Sequence, residues 1–448
     1  MGRASDRESA EQRLLSMLRR DVLKGVGAGA ALSALPGMAS ASEPDSGITN
    51  GESLKAWSDY VDSLKPAGDV LAQTWFPDDE QNRADLYRQL VMNIAQGYFW
   101  YFQATPEHPD WMPFENSVFM LQPNPDAVYH LAPVEGRGTY RIVGDRGSNK
   151  VMGFATGNGL LGTRAHAEAL AAGKPGYNNY DADKLTLGED GSFEVIFSPE
   201  RPTGWEGDWR YLNPEAGTIL IRQFSYDWGN EREARFAIER LDTYPLKPRR
   251  TVAETAEKLD LLLDDFVRRF SAFVATYQNK VTGNIGYNNM ELTGFEDVGN
   301  SPEWPQKYWR CIYDYQPDVA LIVETEIPNC KYWNVQLNDA LWNQIEFGYR
   351  QSSLNGHQAR LDADGKFRAV VAMEDPGVPN WLDSQGFTRG MLVGRWYGAE
   401  SHPMPTIRKV PLADVRKHLP SDTPAVSGAE REAVLRARNI GVQLRRRW

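Results

Sequence analysis

The sequence predicts a mainly β protein with added helices: two β-sandwich, jelly-roll-like domains, a helical N-terminal segment and a long connecting helix. Short strand-like runs separated by Gly, Pro and Asp extend from Phe119 to Trp228 and again from Tyr308 to Gly398. One long amphipathic helical pattern lies between the two sets. The chain has 448 residues, which is too many for one ordinary hydrophobic core. These observations favour two β-rich units around a helix.

The first forty residues contain a targeting pattern. Arg19 and Arg20 are followed by Lys24, a Gly/Ala-rich apolar run and the small-residue ending Ala39-Ser40-Ala41. This order is similar to that of twin-arginine signal peptides and predicts export of the folded protein by the twin-arginine machinery to the periplasm or the exterior. No later stretch approaches the roughly 18 apolar residues of a membrane span, so none is expected in the mature chain.

The helical patterns divide the remaining chain. Leu86, Leu90, Ile94 and Tyr98 recur every four residues and predict one apolar stripe, and Thr251 with Glu254 forms a capping box at the start of the connecting helix. The resulting organisation is a signal peptide at 1–41, a helical segment at 42–112, a β-rich domain at 113–245, the connecting helix at 250–280, a second β-rich domain at 300–412 and C-terminal helices at 413–448.

Charge and cysteine content exclude several classes of function. The net charge is −11 and the pI is near 5.2, so the chain has no basic stripe for nucleic acid. Cys311 and Cys330 form no CxxC or zinc spacing. Two free core thiols are favoured, and a cross-strand disulfide is the alternative.

Cofactor motifs are also lacking in the sequence. No Walker loop, no G-x-G-x-x-G after a strand and no G-x-S-x-G elbow is present, so no nucleotide cofactor is expected. No two of the six histidines are spaced as a local metal pair, which leaves a divalent metal without support unless distant loops assemble its site. The D-x-D-G run of residues 362–365 is interpreted as a hairpin turn rather than a calcium loop. The Gly-rich run of residues 157–162 is interpreted as a loop.

The candidate site is centred on "EDPGVPNWLDSQGF", residues 374–387, which is longer than a chain reversal requires. Asp375 and Asp383 flank Trp381, and paired carboxylates beside an aromatic ring are typical of glycosidic chemistry. The candidate catalytic residues are therefore Asp383, Asp375 and the loop histidine His357. A structural clasp is the alternative interpretation of the segment.

Candidate ligand-binding residues are polar or aromatic and lie on strands or strand ends. Alternation along residues 331–337 predicts that Tyr332, Asn334 and Gln336 share one face and that the apolar residues between them are core. The candidates are Trp381, Asn380, Asn355, Asn338, Tyr332, Asn334, Arg222, Tyr226, Asn124, Asp126 and Tyr129.

Several motifs resemble a known pair of families. "PNCKYWNVQLNDALWNQ", "LDADGKFRAVVAMEDPGVPNWLD" and "LVGRWYG" occur in this order and resemble the domain of unknown function 1214. "MLQPNPDAVYHLAPV" resembles a segment of its partner, the domain of unknown function 1254. The resemblance covers residues 115–240 and 305–410 and implies β-sandwich, jelly-roll-like domains in exported or cell-envelope proteins. It implies no reaction.

The combined expectation is an exported protein that acts on or binds a small sugar-like or aromatic/alicyclic molecule. One interpretation is a hydrolase or lyase that uses carboxylate and histidine groups. A non-catalytic ligand-binding protein and a structural cell-envelope or assembly protein are the alternatives. The sequence leaves homo-oligomer formation open.

Overall fold

The fold is mainly β, with four sheets in two sandwiches and a set of helices, as the sequence predicts. In this computed structural model, residues 54–71, 80–114, 122–172, 176–295, 297, 301 and 303–445 are described. The predicted signal peptide, residues 1–41, lies outside them.

The first sandwich contains nine strands. Their order is β1-β2-β8-β4-β5 in sheet 1 and β7-β6-β3-β9 in sheet 2. Phe154 and Ile221 of sheet 1 pack against Tyr140 and Val195 of sheet 2 in a dry core. The strands are β1 Met112–Pro113, β2 Ala127–Pro133, β3 Tyr140–Asp145, β4 Val151–Gly157, β5 Gly176–Asp181, β6 Ser192–Ser198, β7 Asp208–Tyr211, β8 Thr218–Phe224 and β9 Arg235–Arg240.

The second sandwich also contains nine strands. Their order is β10-β11-β17-β13-β14 in sheet 3 and β16-β15-β12-β18 in sheet 4. Trp309 and Trp396 of sheet 3 pack with Phe367 and Val323 of sheet 4. The strands are β10 Met290–Gly294, β11 Gln306–Asp314, β12 Val319–Glu326, β13 Cys330–Asn338, β14 Ser353–Asn355, β15 Lys366–Ala372, β16 Trp381–Asp383, β17 Arg389–Ala399 and β18 Thr406–Pro411.

The two sandwiches have the same topology. Adding nine to each strand number converts the order of sheet 1 into that of sheet 3, and the order of sheet 2 into that of sheet 4. The parallel pair β6–β7 likewise corresponds to the parallel pair β15–β16. Each strand of one unit therefore has a counterpart in the other, a repeat that the sequence pattern did not reveal.

Helices fill the space beside the sheets. The predicted capping box is present, with Thr251 Oγ1 accepting from Glu254 N and the Glu254 carboxylate accepting from Thr251 N. The helices are α1 Trp57–Asp62, α2 Lys65–Leu71, α3 Glu80–Tyr98 with a π turn at Phe99–Gln103, α4 Arg164–Ala171, α5 Val252–Asp260, α6 Val267–Ile285, joined to α5 by a π turn at Leu261–Phe266, and α7 Gly428–Leu444; 3-10 turns occupy Ala182–Lys184 and Leu412–His418.

Helix α3 has the predicted apolar stripe in part, because Leu86, Leu90 and Ile94 pack against the core and Tyr98 does not. Tyr98 is 54% exposed, whereas Gln89 and Asn93 are buried. Asn93 Nδ2 donates to Ser271 Oγ of α6 at 3.0 Å, and Asn343 of the second sandwich donates to Gln89 Oε1 at 2.7 Å. Buried amides are tolerated when they find partners, so the hydrogen bonds of Gln89 and Asn93 help the packed apolar residues to orient this helix.

A third core joins the two sandwiches. The outer face of sheet 1, the outer face of sheet 3 and the α5–α6 helix contribute to one cluster that includes Tyr129, Phe270, Tyr332 and Met391. The predicted alternation of β13 is confirmed, because Trp333 lies in the core of the second sandwich while Tyr332 faces the first. The two sandwiches therefore meet through sheets 1 and 3.

Residues 374–387 cover the outer face of sheet 4. Val378 and Trp381 pack there with Ile322 and Val370, and the Trp381 indole donates to the Ala372 carbonyl at 2.9 Å. Arg431 of α7 lies over the Trp381 ring at 5.3 Å. This packing supports the clasp interpretation of the segment.

Helix α7 and the residue that follows it, Arg445, contribute three buried arginines at seven-residue spacing. Arg431 binds Asp375, Arg438 donates to the Phe347 carbonyl, and Arg445 binds Glu233 of the first sandwich. The helix therefore fastens the second sandwich to the first. Arg445 is 5% exposed, so its charge is buried at the contact between the sandwiches.

Two smaller predictions also have an outcome. Both cysteines are free, Cys311 buried and Cys330 half-buried. The 362–365 run forms a turn with Gly365 at a φ of 80°, and Arg368 binds the carboxylates of Asp362 and Asp364. The hairpin interpretation is confirmed by the antiparallel bridge between Leu361 and Phe367 and by the hydrogen bond from Gly365 N to the Asp362 carbonyl.

Candidate functional site

A cavity of about 390 Å³ lies between the sandwiches, and this volume falls within the range of roughly 300–1,000 Å³ usual for small-molecule sites. Its walls are the outer faces of sheets 1 and 3, helix α6 and the loop after β4. About half of the lining residues are apolar or aromatic, namely Phe114, Tyr129, Leu131, Ala155, Leu160, Leu161, Leu220, Phe224, Phe273, Phe295, Trp304, Tyr308 and Trp342, and most of the others are polar or charged. The Gly-rich run at 157–162 is a loop, as expected, and it contributes to this lining.

The lining of the cavity carries a net positive charge, whereas the chain as a whole is negative. Arg222, Arg395 and Lys280 line the cavity against one carboxylate, Asp297. Arg222 and Arg395 are 8% and 2% exposed, whereas Lys280 and Asp297 are exposed. Burial lowers the pKa of His166, which also lines the cavity, and so favours its neutral form. The cavity is therefore cationic in a protein whose net charge is −11.

Two lining residues have strained backbones. Gln122 and Trp342 have φ values of 57° and 70°, in the left-handed region that bulky L-residues rarely adopt. Gln122 N donates to the Trp342 carbonyl at 2.7 Å, and the Trp342 indole donates back to Gln122 Oε1. Such strain costs about 1–3 kcal/mol per residue and is concentrated at functional sites.

Two polar atoms of the lining have no hydrogen-bond partner among the described residues. They are Trp304 Nε1 and Gln306 Oε1, on side chains that are 3% and 4% exposed. Trp304 is seated on the backbone of Gly153, where a Cβ atom would come within 2.3 Å of the indole. A buried polar atom without a partner is costly, and a ligand that supplies the partner recovers that cost.

Two of the predicted ligand-binding residues, Tyr129 and Arg222, line the cavity. They lie opposite each other on β2 and β8. Arg222 Nη1 donates to Asn179 Oδ1 at 3.0 Å, and its guanidinium carbon lies 5.1 Å from the Phe295 ring centre.

Six others form a buried network that joins the sandwiches next to the cavity. Tyr332 donates to Asp126 Oδ2 at 2.6 Å, and Asn355 donates to Asp126 Oδ1 at 2.6 Å. Asn334 and Tyr332 also bind Asn124, and the Tyr226 hydroxyl accepts from Trp333 N. Burial raises the pKa of Asp126, against the effect of its donors. These residues bind one another, and ligand contact by them stays a prediction.

The remaining three predicted ligand residues are also hydrogen-bonded within the protein. Asn380 bridges the backbones of Arg360 and Arg368, and Asn338 accepts from Gln336 at 2.9 Å. Trp381 is held by the contacts with sheet 4 and Arg431 described above. These residues do not belong to the cavity lining.

The predicted catalytic residues are held by separate partners. Asp383 accepts from Arg350 Nη1 at 2.8 Å, and burial raises its pKa. Asp375 binds Arg431 at 2.8 Å, and His357 Nε2 lies 3.7 Å from an Asp227 oxygen. None of the contacts between described residues joins His357 to either carboxylate. A catalytic role for these residues stays a prediction, and they do not line the cavity.

Metal and membrane signals are lacking in the described part of the chain. Its residues contain no group of three His, Cys, Asp or Glu side chains placed to hold a metal ion. Within the same residues, no helix has the length and hydropathy to cross a membrane.

Several cavity residues were not identified from the sequence. Arg395 lies within the apolar strand "MLVGRWYG", where a charged residue is unusual, and this was the available signal. Trp304 precedes β11 and Gln306 is its first residue, in an ordinary polar-aromatic run that carries no such signal. Their position in the cavity depends on the contact between the sandwiches, which no local pattern predicts.

Comparisons with known proteins support the fold and give no function. The chain is similar to the solved structure of an uncharacterized protein from Burkholderia cenocepacia, with 28% sequence identity, coverage of 80% of this chain and 97% of that one, and a TM-score of 0.72. A Vibrio parahaemolyticus protein matches at 12% identity over 78% of this chain and 100% of its own, with a TM-score of 0.40. No family model matches the chain. No curated protein matches it either.

Proposed function

We propose that the protein binds a small, largely apolar molecule of aromatic or alicyclic type in the cavity between its two sandwiches. The observation that carries this proposal is the cavity of about 390 Å³, whose lining combines a large set of aromatic and aliphatic side chains with polar and charged groups. Sites for small molecules combine these properties. The strained pair Gln122–Trp342 at the same place adds support, because evolution retains such strain where geometry matters for function.

Binding is favoured over catalysis by the arrangement of titratable groups. The catalytic candidate Asp383 and the ligand-binding candidate Asp126 are both buried, and both accept hydrogen bonds from donors within the protein. The cavity itself contributes one carboxylate, Asp297, which accepts from Gly294 N at 2.6 Å. An acid–base pair poised for hydrolysis is not assembled there from described residues, so the proposal is a binding protein.

A neutral fluorescent probe tests the proposal without reference to charge. The purified protein is titrated with 1-aminoanthracene, whose emission rises in an apolar cavity. Ala155 lines the cavity, so Ala155→Phe should fill part of it and abolish the saturable signal. The matched control is Ala237→Phe, because Ala237 is exposed on β9 away from the cavity. Saturable binding that survives Ala155→Phe unchanged would place the probe elsewhere and contradict the proposal.

Catalysis by the predicted carboxylates has its own test. If Asp383 or His357 is catalytic, Asp383→Asn and His357→Ala abolish turnover of any substrate that is found while the melting temperature stays nearly unchanged. Asp383 is bound by Arg350, so a large loss of stability in Asp383→Asn with unchanged turnover instead assigns it to structure.

Export by the twin-arginine route is part of the proposed function. It is supported by the Arg19-Arg20 pair, the apolar run and the small-residue ending. Changing both arginines to lysine should retain the protein in the cytoplasm on cell fractionation, and unaffected export would refute this route. Membership of the families with domains of unknown function 1254 and 1214 is likewise a proposal, supported by the motifs quoted above.

A further inference from the structure

The cavity contains the same cross-strand pair twice, once from each sandwich. Tyr129 of β2 lies opposite Arg222 of β8, and Tyr308 of β11 lies opposite Arg395 of β17. Because β11 and β17 are the topological counterparts of β2 and β8, the two Tyr–Arg pairs occupy equivalent places. All four residues line the cavity. The repeated topology therefore places the guanidinium groups of Arg222 and Arg395 in the lining of the same cavity.

The charge of Arg395 has no anionic partner in the described residues. Its hydrogen bonds go to the side-chain oxygens of Gln336 at 2.5 Å and Asn334 at 3.4 Å, and to the Gln122 carbonyl at 3.0 Å. The side chain is buried, and a guanidinium stays charged under all ordinary conditions. A buried charge with neutral partners alone is unfavourable, and an anion in the adjoining cavity would compensate it.

The two unpartnered atoms point to the same kind of ligand. Gln306 and Arg395 are diagonal neighbours on β11 and β17, because Gln306 lies opposite Tyr397 and Arg395 opposite Tyr308. Side chains in this relation are within reach of one small molecule. Trp304 Nε1 is a donor for an anionic oxygen, and Gln306 Oε1 is an acceptor for a hydroxyl or N–H group.

Resting on the proposed function, we infer that the natural ligand is an organic acid. Its carboxylate binds between Arg395 and Arg222 with the Trp304 indole as a further donor, its ring system fills the aromatic part of the cavity, and a hydroxyl or amine donates to Gln306. The exposed lining residues Lys280 and Asp297 carry opposite charges, so the attraction for an anion comes from the two buried arginines. The ligand class is thus a hydroxylated or aminated aromatic or alicyclic carboxylic acid.

The test compares acids with their primary amides, which keep the size and lose the charge. The probes are benzoate, 2-naphthoate, cyclohexanecarboxylate and adamantane-1-carboxylate, each with its amide, measured by isothermal titration on the wild-type protein. Losing one charge-assisted contact corresponds to weakening of about 10- to 100-fold, so the acid should bind more tightly than its amide by that factor. The 6-hydroxy derivative of 2-naphthoate should bind roughly 2- to 10-fold more tightly than 2-naphthoate, and Gln306→Leu should remove this gain.

Variants locate the preference. Trp304→Phe keeps an aromatic side chain but removes the indole donor and some contact area, so it should weaken the binding of acids more than that of amides. Arg395→Met should abolish the acid preference, with Arg389→Met as its control, because Arg389 is on the same strand and binds Asp314 outside the cavity. If Arg395→Met does not fold, the comparison of acids with amides in the wild-type protein and in Trp304→Phe still tests the inference. Amides that bind as tightly as acids overturn the inference and leave the proposed function standing. Failure of 1-aminoanthracene and of every acid and amide to bind refutes both.

Discussion

Removing Arg445 should be among the most damaging single changes in the C-terminal helix. Its Nε binds Glu233 at 2.7 Å, with the two side chains 3% and 5% exposed, and Nη1 donates to the Pro125 carbonyl at 2.8 Å. Breaking a buried ion pair from one side costs about 3–5 kcal/mol, and an unpaired buried carbonyl adds about 1 kcal/mol. Arg445→Met should therefore lower the free energy of unfolding by about 4–6 kcal/mol.

A double-mutant cycle separates the pair from its surroundings. Glu233→Met combined with Arg445→Met removes both charges, so the double variant should recover about 3 kcal/mol relative to the sum of the single effects. Urea unfolding followed by tryptophan fluorescence gives the four free energies. The control on the same helix is Arg436→Met, because Arg436 pairs with Glu432 while both are mostly exposed. It should cost less than about 0.5 kcal/mol. Equal losses for Arg445→Met and Arg436→Met, or strictly additive single effects, would refute the role of α7 in joining the sandwiches.

Three other predictions concern single side chains. Burial lowers the pKa of His130 from 6.5 in the unfolded chain to about 4 in the folded protein. The folded state therefore loses free energy of unfolding as the pH falls from 6.5 towards 4, by about 3 kcal/mol in total, and keeps its full stability above pH 6.5. The free energy of unfolding of His130→Phe should not fall by this amount over the same pH range, and a pH dependence equal to that of wild type would contradict the prediction. The comparison with wild type is needed because burial raises the pKa of Asp339 to about 6, and this shift changes stability with pH in the opposite direction. Gln306→Leu should stabilise the ligand-free protein by about 1–2 kcal/mol in thermal unfolding, because it removes an unpartnered buried oxygen, and a destabilised variant would show that the oxygen has a partner. A reductant should leave the melting temperature unchanged, because both cysteines are free. Cys311 should resist thiol reagents in the native state, because burial raises its pKa to about 12, and rapid labelling of Cys311 would contradict its burial.

Elements defined by local chemistry were predictable from the sequence. The capping box at Thr251, the turn at Gly365 and the two faces of β13 follow from hydrogen bonds and alternation between near neighbours. The matching topology of the two sandwiches was not predictable, because strand order depends on pairing between distant segments. Strands as far apart as β2 and β8 must be aligned before the repeat can be recognised.

The candidate site was predictable only in part, for a related reason. Arg222 and Tyr129 were predicted because polar and aromatic residues within or at the end of a predicted strand can be recognised from the sequence alone. Asp126 and Tyr332 were also identified, but their polar groups satisfy each other across the contact between the sandwiches. A sequence lists donors and acceptors without their partners, so it does not distinguish a side chain reserved for a ligand from one bound within the protein.

The most direct test of the account is calorimetric titration of the cavity with its best-binding acid in wild type, Ala155→Phe and Ala237→Phe. The account predicts saturable binding of one molecule per chain in wild type and Ala237→Phe, and none in Ala155→Phe, where the phenyl ring occupies the space. Equal binding by all three proteins would show that the cavity between the sandwiches is not the site.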